Sequence, residues 1–547
     1  MFINRKHFVA IYLTAIILLI NSSVWAQEKK IEKPENLDQL LLAAKESKTI
    51  ATEDIENAKN IIQSAANTLP AEEILEKLAL LQEYRQDEVI PAVRKPLRDS
   101  DLLDRLILSI QLGKETQIDP AKIKIHPAAA GFPGLVPDDA PRVKRTMELN
   151  LDRQGWHNVG IYGNPGSPYW HSTGLYAAPG ELITVTVPKE FAGKGLMLRI
   201  GCHSDRLWRL NSWKRAPSIC SRYNITETTT KIANSFGGLI YVESNHEKTY
   251  GKVKLTFENA VESPFYELGK TSLEEWKKIR NNPGPWAELA SGKLIITVPS
   301  KVVRKLDNPQ ELMEFWDGIM DNYADLLGRD HNRKRTERFV CDVQISAGYM
   351  HSGYPLMAGL DIAETFCNVE SIQKNNHGGI WGLFHEIGHN HQRREWTFSG
   401  TTEVTVNLFS LYMMEKACGL QTGGHPGVAE KSRQKSMERY FANGSNFEQW
   451  QKDPFLALCM YIQLQQEFGW EPFTATFKQY LVATRDELPR SDQDKRDQWM
   501  VRFSKTVGKN LGPFFQVWGV PTTKEARDSI ADLPEWMPKD LPDKKIS

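Results

Sequence analysis

The chain has 547 residues, more than one ordinary core accommodates, so three or more packed units are expected. Hydrophobic residues make up 41% and charged residues 25%, which excludes overall disorder. Lys+Arg and Asp+Glu balance at 68 each, leaving no net field to draw in nucleic acid or an anionic membrane.

Residues 1–26 read as an export signal peptide. Arg5 and Lys6 make a positive start, Phe8 to Ile20 an apolar core, and Val24 and Ala26 flank a cleavage point before Gln27. The apolar run is shorter than the roughly 20 residues of a spanning helix. No later segment is apolar enough to span. The expectation is a mature chain without a membrane span, placed in the periplasm, on the cell surface or in the medium.

Residues 27–115 read as a helical module. Pro70 opens the run Ala71 to Gln82, in which Ile74, Leu75, Leu78 and Leu81 recur at helical spacing. No chemical constellation falls in this stretch. Residues 116–142 carry Pro120, Pro127, Pro133, Pro137 and Pro141, which resist helix and sheet alike, so a linker is expected there.

Residues 143–265 change character. Short strand-like pieces, Arg142–Leu151, Leu182–Val187, Leu196–Ile200, Leu239–Val242 and Lys252–Phe257, are separated by turn signals such as Pro179-Gly180. That is the pattern of a β-sandwich-like unit. Trp156, Tyr162, Tyr169, Trp170, Trp208 and Trp213 suit core and edge packing or the stacking of sugars.

Residues 266–538 are mixed. Ser272 with Glu275 makes a helix-opening box, Lys293–Val298 and Phe339–Ile345 read as strands, and Asn308-Pro309 opens a helix running to about Leu327. The basic run Arg333-Lys334-Arg335, with Arg338 nearby and Glu337 between, reads as a solvated turn. Mostly helices are expected from Gly379 onward, with a polar tail over 539–547. Cys202, Cys220, Cys341, Cys367, Cys418 and Cys459 lack metal-type spacing and read as buried thiols or one or two disulfides.

The chemistry is concentrated in Gly379-Ile-Trp-Gly-Leu-Phe-His385-Glu386-Ile-Gly-His389-Asn-His-Gln392. Residues four apart on a helix are offset by only about 40°, so His385 and His389 share a face and suit one zinc ion. Glu386 follows the first ligand directly and is placed to act as a general base on a water that the metal activates. Chance matches to HExxH number on the order of 0.02 in a chain of this length.

A third ligand is needed. The continuation HExxHxxGxxH is absent, because Gln392 stands at its glycine and Glu395 at its third histidine. Glu403, 14 residues after His389 at the start of a second apolar helix, gives two His and one Glu. Glu395 and Glu415 are the competing carboxylates. Asn407 suits a hydrogen bond that orients a ligand histidine, or equally a structural amide between helices. There is no nucleophile elbow and no phosphate loop. Carboxylate pairs for glycoside hydrolysis need no fixed spacing and stay open.

The run Trp381 to Gln392 followed by Thr402-Glu403-Val404-Thr405-Val406-Asn407-Leu408-Phe409-Ser410 resembles the enhancin-like zinc metallopeptidases, a gluzincin-type family with bacterial mucin-degrading members. Thr173–Glu181, Ser235–Tyr241, His351–Pro355 and Phe514–Gly519 extend the resemblance over roughly 145–525. It implies a β-sandwich-like domain leading into a thermolysin-like, mainly helical zinc-peptidase domain. His385, His389 and Glu403 would bind Zn2+, and Glu386 would be the base.

The expectation is thus a multidomain α+β chain and a secreted endopeptidase acting on proteins, mucin-type O-glycoproteins among them. The rival is a glycoprotein-binding surface protein with a vestigial peptidase domain. Oligomeric state is not legible.

Overall fold

The computed structural model describes residues 33–85, 90–152, 160, 162–245, 248–333, 335–375, 379–420, 424–539 and 541. The leader expected over 1–26, Trp156, and residues 540 and 542–547 of the tail lie outside them.

Described residues up to 85, together with 102–115, belong to one compact unit. It is built from helices Leu37–Ser47, Ile55–Thr68, Ala71–Tyr84 and Leu102–Glu115. Of the stripe read from the sequence, Ile74, Leu78 and Leu81 are buried in one core cluster with Leu40, Ile62 and Ile107, while Leu75 is half-buried.

The second unit holds everything else described. Its proline-rich start forms only two short 3-10 turns, Pro120–Lys122 and Pro127–Ala130. It is not loose. Ala129 and Phe132 are buried, His126 N–H donates to Ser235 O, and the Trp286 indole donates to Pro133 O at 2.9 Å.

Eight strands follow in one antiparallel assembly, in the order Ser221–Asn224, Met197–Ile200, Gly238–Ser244, Tyr169–Ala177, Lys252–Glu262, Ile183–Thr186 and Thr229–Ile232, with Val143–Asn150 also on Lys252–Glu262. Lys252–Glu262 alternates in burial at Val253, Leu255 and Phe257, then shifts register between Glu258 and Ala260. Asn259 takes φ 70° at that bulge, and the strand's far end turns to pair with Leu175 and Tyr176.

A six-stranded mixed sheet carries the rest, in the order Phe265–Glu267, Trp286–Ala290, Leu294–Pro299, Glu337–Asp342, Leu356–Gly359 and Met350–His351. Its central strands are buried on both faces, as parallel neighbours demand. Helix Pro309–Leu326, capped by Asn308, packs against it, and helices dominate from Ile380 onward. No described helix is long and apolar enough to cross a membrane. All six cysteines are free.

The basic run is a correction. Arg335 and Arg338 are buried rather than solvated, because acidic partners await them inside. Arg338 pairs with buried Glu288 and donates to Trp170 O and Ser172 Oγ at 3.0 Å, while Arg335 pairs with Glu337 at 3.0 Å. Buried guanidinium groups without such partners would be strongly destabilising.

Candidate metal centre

The site helix, Ile380–His389, buries Ile380, Trp381, Leu383, Phe384 and Ile387 in the main core. The second helix, Thr402–Cys418, runs against it. Gly388 is why the two approach so closely: a Cβ there would lie 3.0 Å from both Phe409 Cβ and Val406 Cγ2. Glu403 falls in the first turn of the second helix and returns to face the two histidines.

The three expected ligand atoms converge. His385 Nε2 lies 2.9 Å from Glu403 Oε2 and 3.0 Å from His389 Nε2, and His389 Nε2 lies 3.6 Å from the same carboxylate oxygen. Four ligands around zinc at about 2.0–2.1 Å stand roughly 3.3 Å apart, so this triangle is close to the right size. The two imidazoles hold the Glu403 carboxyl well below its usual range. Burial opposes protonation of His385, but Glu403 and Asn407 outweigh it and raise its pKa.

The far nitrogens fix the tautomers. Asn407 Nδ2 donates to Glu403 O at 2.7 Å, so Oδ1 accepts from the Trp381 indole at 3.0 Å and faces His385 Nδ1 at 2.9 Å. Gln392 does the same for His389. Its amide nitrogen donates to Thr402 O at 2.8 Å, so its oxygen faces His389 Nδ1 at 3.0 Å. With both protons on Nδ1, two Nε2 lone pairs and one carboxylate point at one another. That repulsion is relieved either by a proton on His385, in keeping with its raised pKa, or by a cation between the three groups, and an N, N, O set suits zinc.

Glu386 is half-buried on the next position of the helix, with no hydrogen-bond partner among the described residues. The rival carboxylates lie elsewhere: Glu395 pairs with Arg393 at 2.8 Å, and Glu415 accepts from the Trp470 indole at 2.8 Å. Sequence reading missed Gln392, because it was seen only as a departure from a three-histidine pattern.

Three further groups surround the site. Tyr162 sets its ring against His389 with centroids 5.0 Å apart. His425 stacks on Phe455 at 4.4 Å and lies 5.5 Å from Trp381. His351, on the edge strand, faces Asp205 Oδ2 at 2.8 Å and Ser352 O at 2.9 Å, with Ser346 Oγ at 3.5 Å. Donation from both ring nitrogens to the two nearer oxygens favours the charged ring. Burial works against its proton, but Asp205, the Ser352 carbonyl and Glu386 together raise its pKa. Burial likewise opposes charge on Asp205, and His351 with the Ser346 amide overrides it and lowers the pKa.

A pH dependence follows. A raised His351 pKa gives stability that is complete below its ordinary value and lost as pH rises through the raised one. A lowered Asp205 pKa gives stability lost only as pH falls through it. The Asp205→Asn protein should therefore fall furthest below wild type in mildly acidic solution, and the gap should close toward alkaline pH. Denaturant midpoints measured across pH check this; a gap that widens with rising pH contradicts it.

Comparison with known proteins gives consistent matches. Residues 259–519 match the family described as Peptidase M60, enhancin and enhancin-like, and residues 167–258 match the N-terminal domain of M60-like peptidases. TRPM8 channel-associated factor 1 of Homo sapiens is 40% identical over 411 residues, covering 74% of this chain and 42% of that protein. The chain thus spans about two fifths of the length of the curated relatives it matches. Two solved structures share the fold. The M60 catalytic domain of Clostridium perfringens ZmpC, in complex with the sialyl T antigen, has 17% identity and a TM-score of 0.54, covering 73% of this chain and 81% of that one. The IMPa metallopeptidase of Pseudomonas aeruginosa has 15% identity and a TM-score of 0.59, covering 88% and 62%.

Proposed function

Since the chain belongs to the M60 family of enhancin and enhancin-like peptidases, we propose that it is a zinc-dependent endopeptidase acting on proteins outside the cytoplasm, mucin-type O-glycoproteins first among them. One observation carries this reading: ligand atoms of His385, His389 and Glu403 lie within 4.8 Å of one another, with Glu386 beside the first. The leader-like residues 1–26 support the location, and the glycan in the ZmpC complex supports the substrate class. We take the paired helices to be arranged as in thermolysin-like units.

His385, His389 and Glu403 would hold a zinc ion, which would supply Lewis acidity and a bound water of lowered pKa. The chain's own residues do the rest. Glu386 takes the proton of the attacking water and returns it to the leaving amine. Asn407 and Gln392 keep both imidazoles turned with Nε2 toward the metal. Asn407→Ala and Gln392→Ala should each weaken zinc binding roughly 10- to 100-fold. Competition with a zinc-sensitive chelating dye measures it, and unchanged affinity in both would sink the tautomer argument.

The function itself is tested by mass spectrometry of a mucin-type glycoprotein and its deglycosylated form after incubation with the zinc-loaded protein. New backbone termini are expected. Sugar release with the backbone whole would overturn the reading in favour of a glycosidase.

A second reading has one observation behind it: relatives 40% identical are named for association with a channel and not for hydrolysis. On that reading the chain is a binding protein with a disused site. Its distinguishing result is a zinc-loaded protein that binds glycoprotein and never cuts it.

A further inference from the structure

Tyr162 lies before the first residue of either family match, which together cover 167–519. It is nevertheless at the metal centre. Its ring meets His389 edge to face at 5.0 Å, with an interplanar angle of 70°, and its hydroxyl lies 3.4 Å from Thr402 Oγ1, one residue before Glu403. It therefore stands along the wall formed by two of the three ligands.

The placement is built. Gly160 N–H donates to Asn390 O at 2.6 Å, and a Cβ at Gly160 would lie 2.6 Å from Asn390 backbone atoms, so only glycine permits the approach. On the other side, the buried Arg335 donates to Gly163 O at 2.5 Å while pairing with Glu337. Both ends of the turn are thus fixed to the catalytic unit, one of them to the residue that follows His389. Yet Tyr162 is 41% exposed. The residue is thus not sealed in beside His389, as a purely supporting side chain would be.

We infer that Tyr162 is a specificity-determining residue: its ring is a platform for a CH-rich face next to the scissile bond, either an apolar side chain or the pyranose of an attached sugar. Both present C–H groups to an aromatic face, and such contacts are directional and modest in strength. This rests on the peptidase reading.

The experiment uses the zinc-loaded full chain and one synthetic mucin-type peptide, with and without an O-linked sugar beside the cut. Kinetics are run on wild type, Tyr162→Phe and Tyr162→Ala. Binding is measured in the Glu386→Gln background, with and without Tyr162→Ala. Tyr162→Phe should match wild type. Tyr162→Ala should raise KM, and Kd in the uncut background, roughly 5- to 10-fold with kcat and zinc content kept. An effect on the glycosylated peptide alone identifies the sugar as the occupant, and an effect on both identifies the side chain. Three results overturn the assignment: an unchanged KM in Tyr162→Ala, a loss as large in Tyr162→Phe, which would place the role on the hydroxyl, or loss of zinc, which would make the ring a support for His389. If wild type neither binds nor cuts either peptide, the peptidase reading falls and this assignment with it.

Discussion

The Glu386→Gln protein is expected to hold zinc as tightly as wild type and to lose roughly 10²- to 10⁴-fold in kcat/KM. Glu386 occupies the position after His385 but on a different side of the helix, since successive residues turn by about 100°. It makes no hydrogen bond to any described residue, and its charge reaches His385 and His351 only through space. Glutamine keeps its shape while removing that charge and the ability to take a proton. Steady-state kinetics with parallel metal analysis separate the two effects. A variant that cuts at the wild-type rate would remove the general base from the mechanism.

Glu403→Ala should act on the other property. It deletes the one carboxylate of the three ligands and leaves two imidazoles, too few for a stable site. Removing a group that merely orients a ligand costs about 10- to 100-fold in metal affinity, so removing the ligand should cost more than 100-fold. Glu395→Ala and Glu415→Ala are the controls. Their carboxylates are engaged by Arg393 and Trp470, away from the cluster, and zinc affinity should be unchanged in both. Equal losses in all three variants would mean that Glu403 is not special.

What was legible in the sequence follows from how local each signal is. The stripes of Ala71–Tyr84 and Ile380–His389 are periodic, and both form helices at nearly the expected bounds. Strand Tyr169–Ala177 was not legible. It runs through His171, Ser172, Thr173 and Gly174 without alternation, because a register shift between Ser172 and Tyr176 breaks its pairing. The basic run around Arg335 was misread for a related reason. Its charges are local, but Arg338's partner, Glu288, lies 50 residues away in sequence.

The metal cluster shows the same division. His385 and His389 are four apart on one helix and could be paired on spacing alone. Glu403 needed the family's pattern or a guess about a returning loop. Gln392 had no signal, since it acts through a side-chain amide whose orientation is set by Thr402 O, and Tyr162, legible only as one of several aromatics suited to packing or to sugars, is brought to His389 from far away in sequence.

The most direct test of the central claim is anomalous diffraction at the zinc edge from crystals of the full chain grown with zinc. One strong peak is predicted, about 2.0–2.1 Å from His385 Nε2, His389 Nε2 and a Glu403 carboxylate oxygen, with its fourth side open to solvent. A zinc-containing crystal with no peak between those three side chains would contradict it.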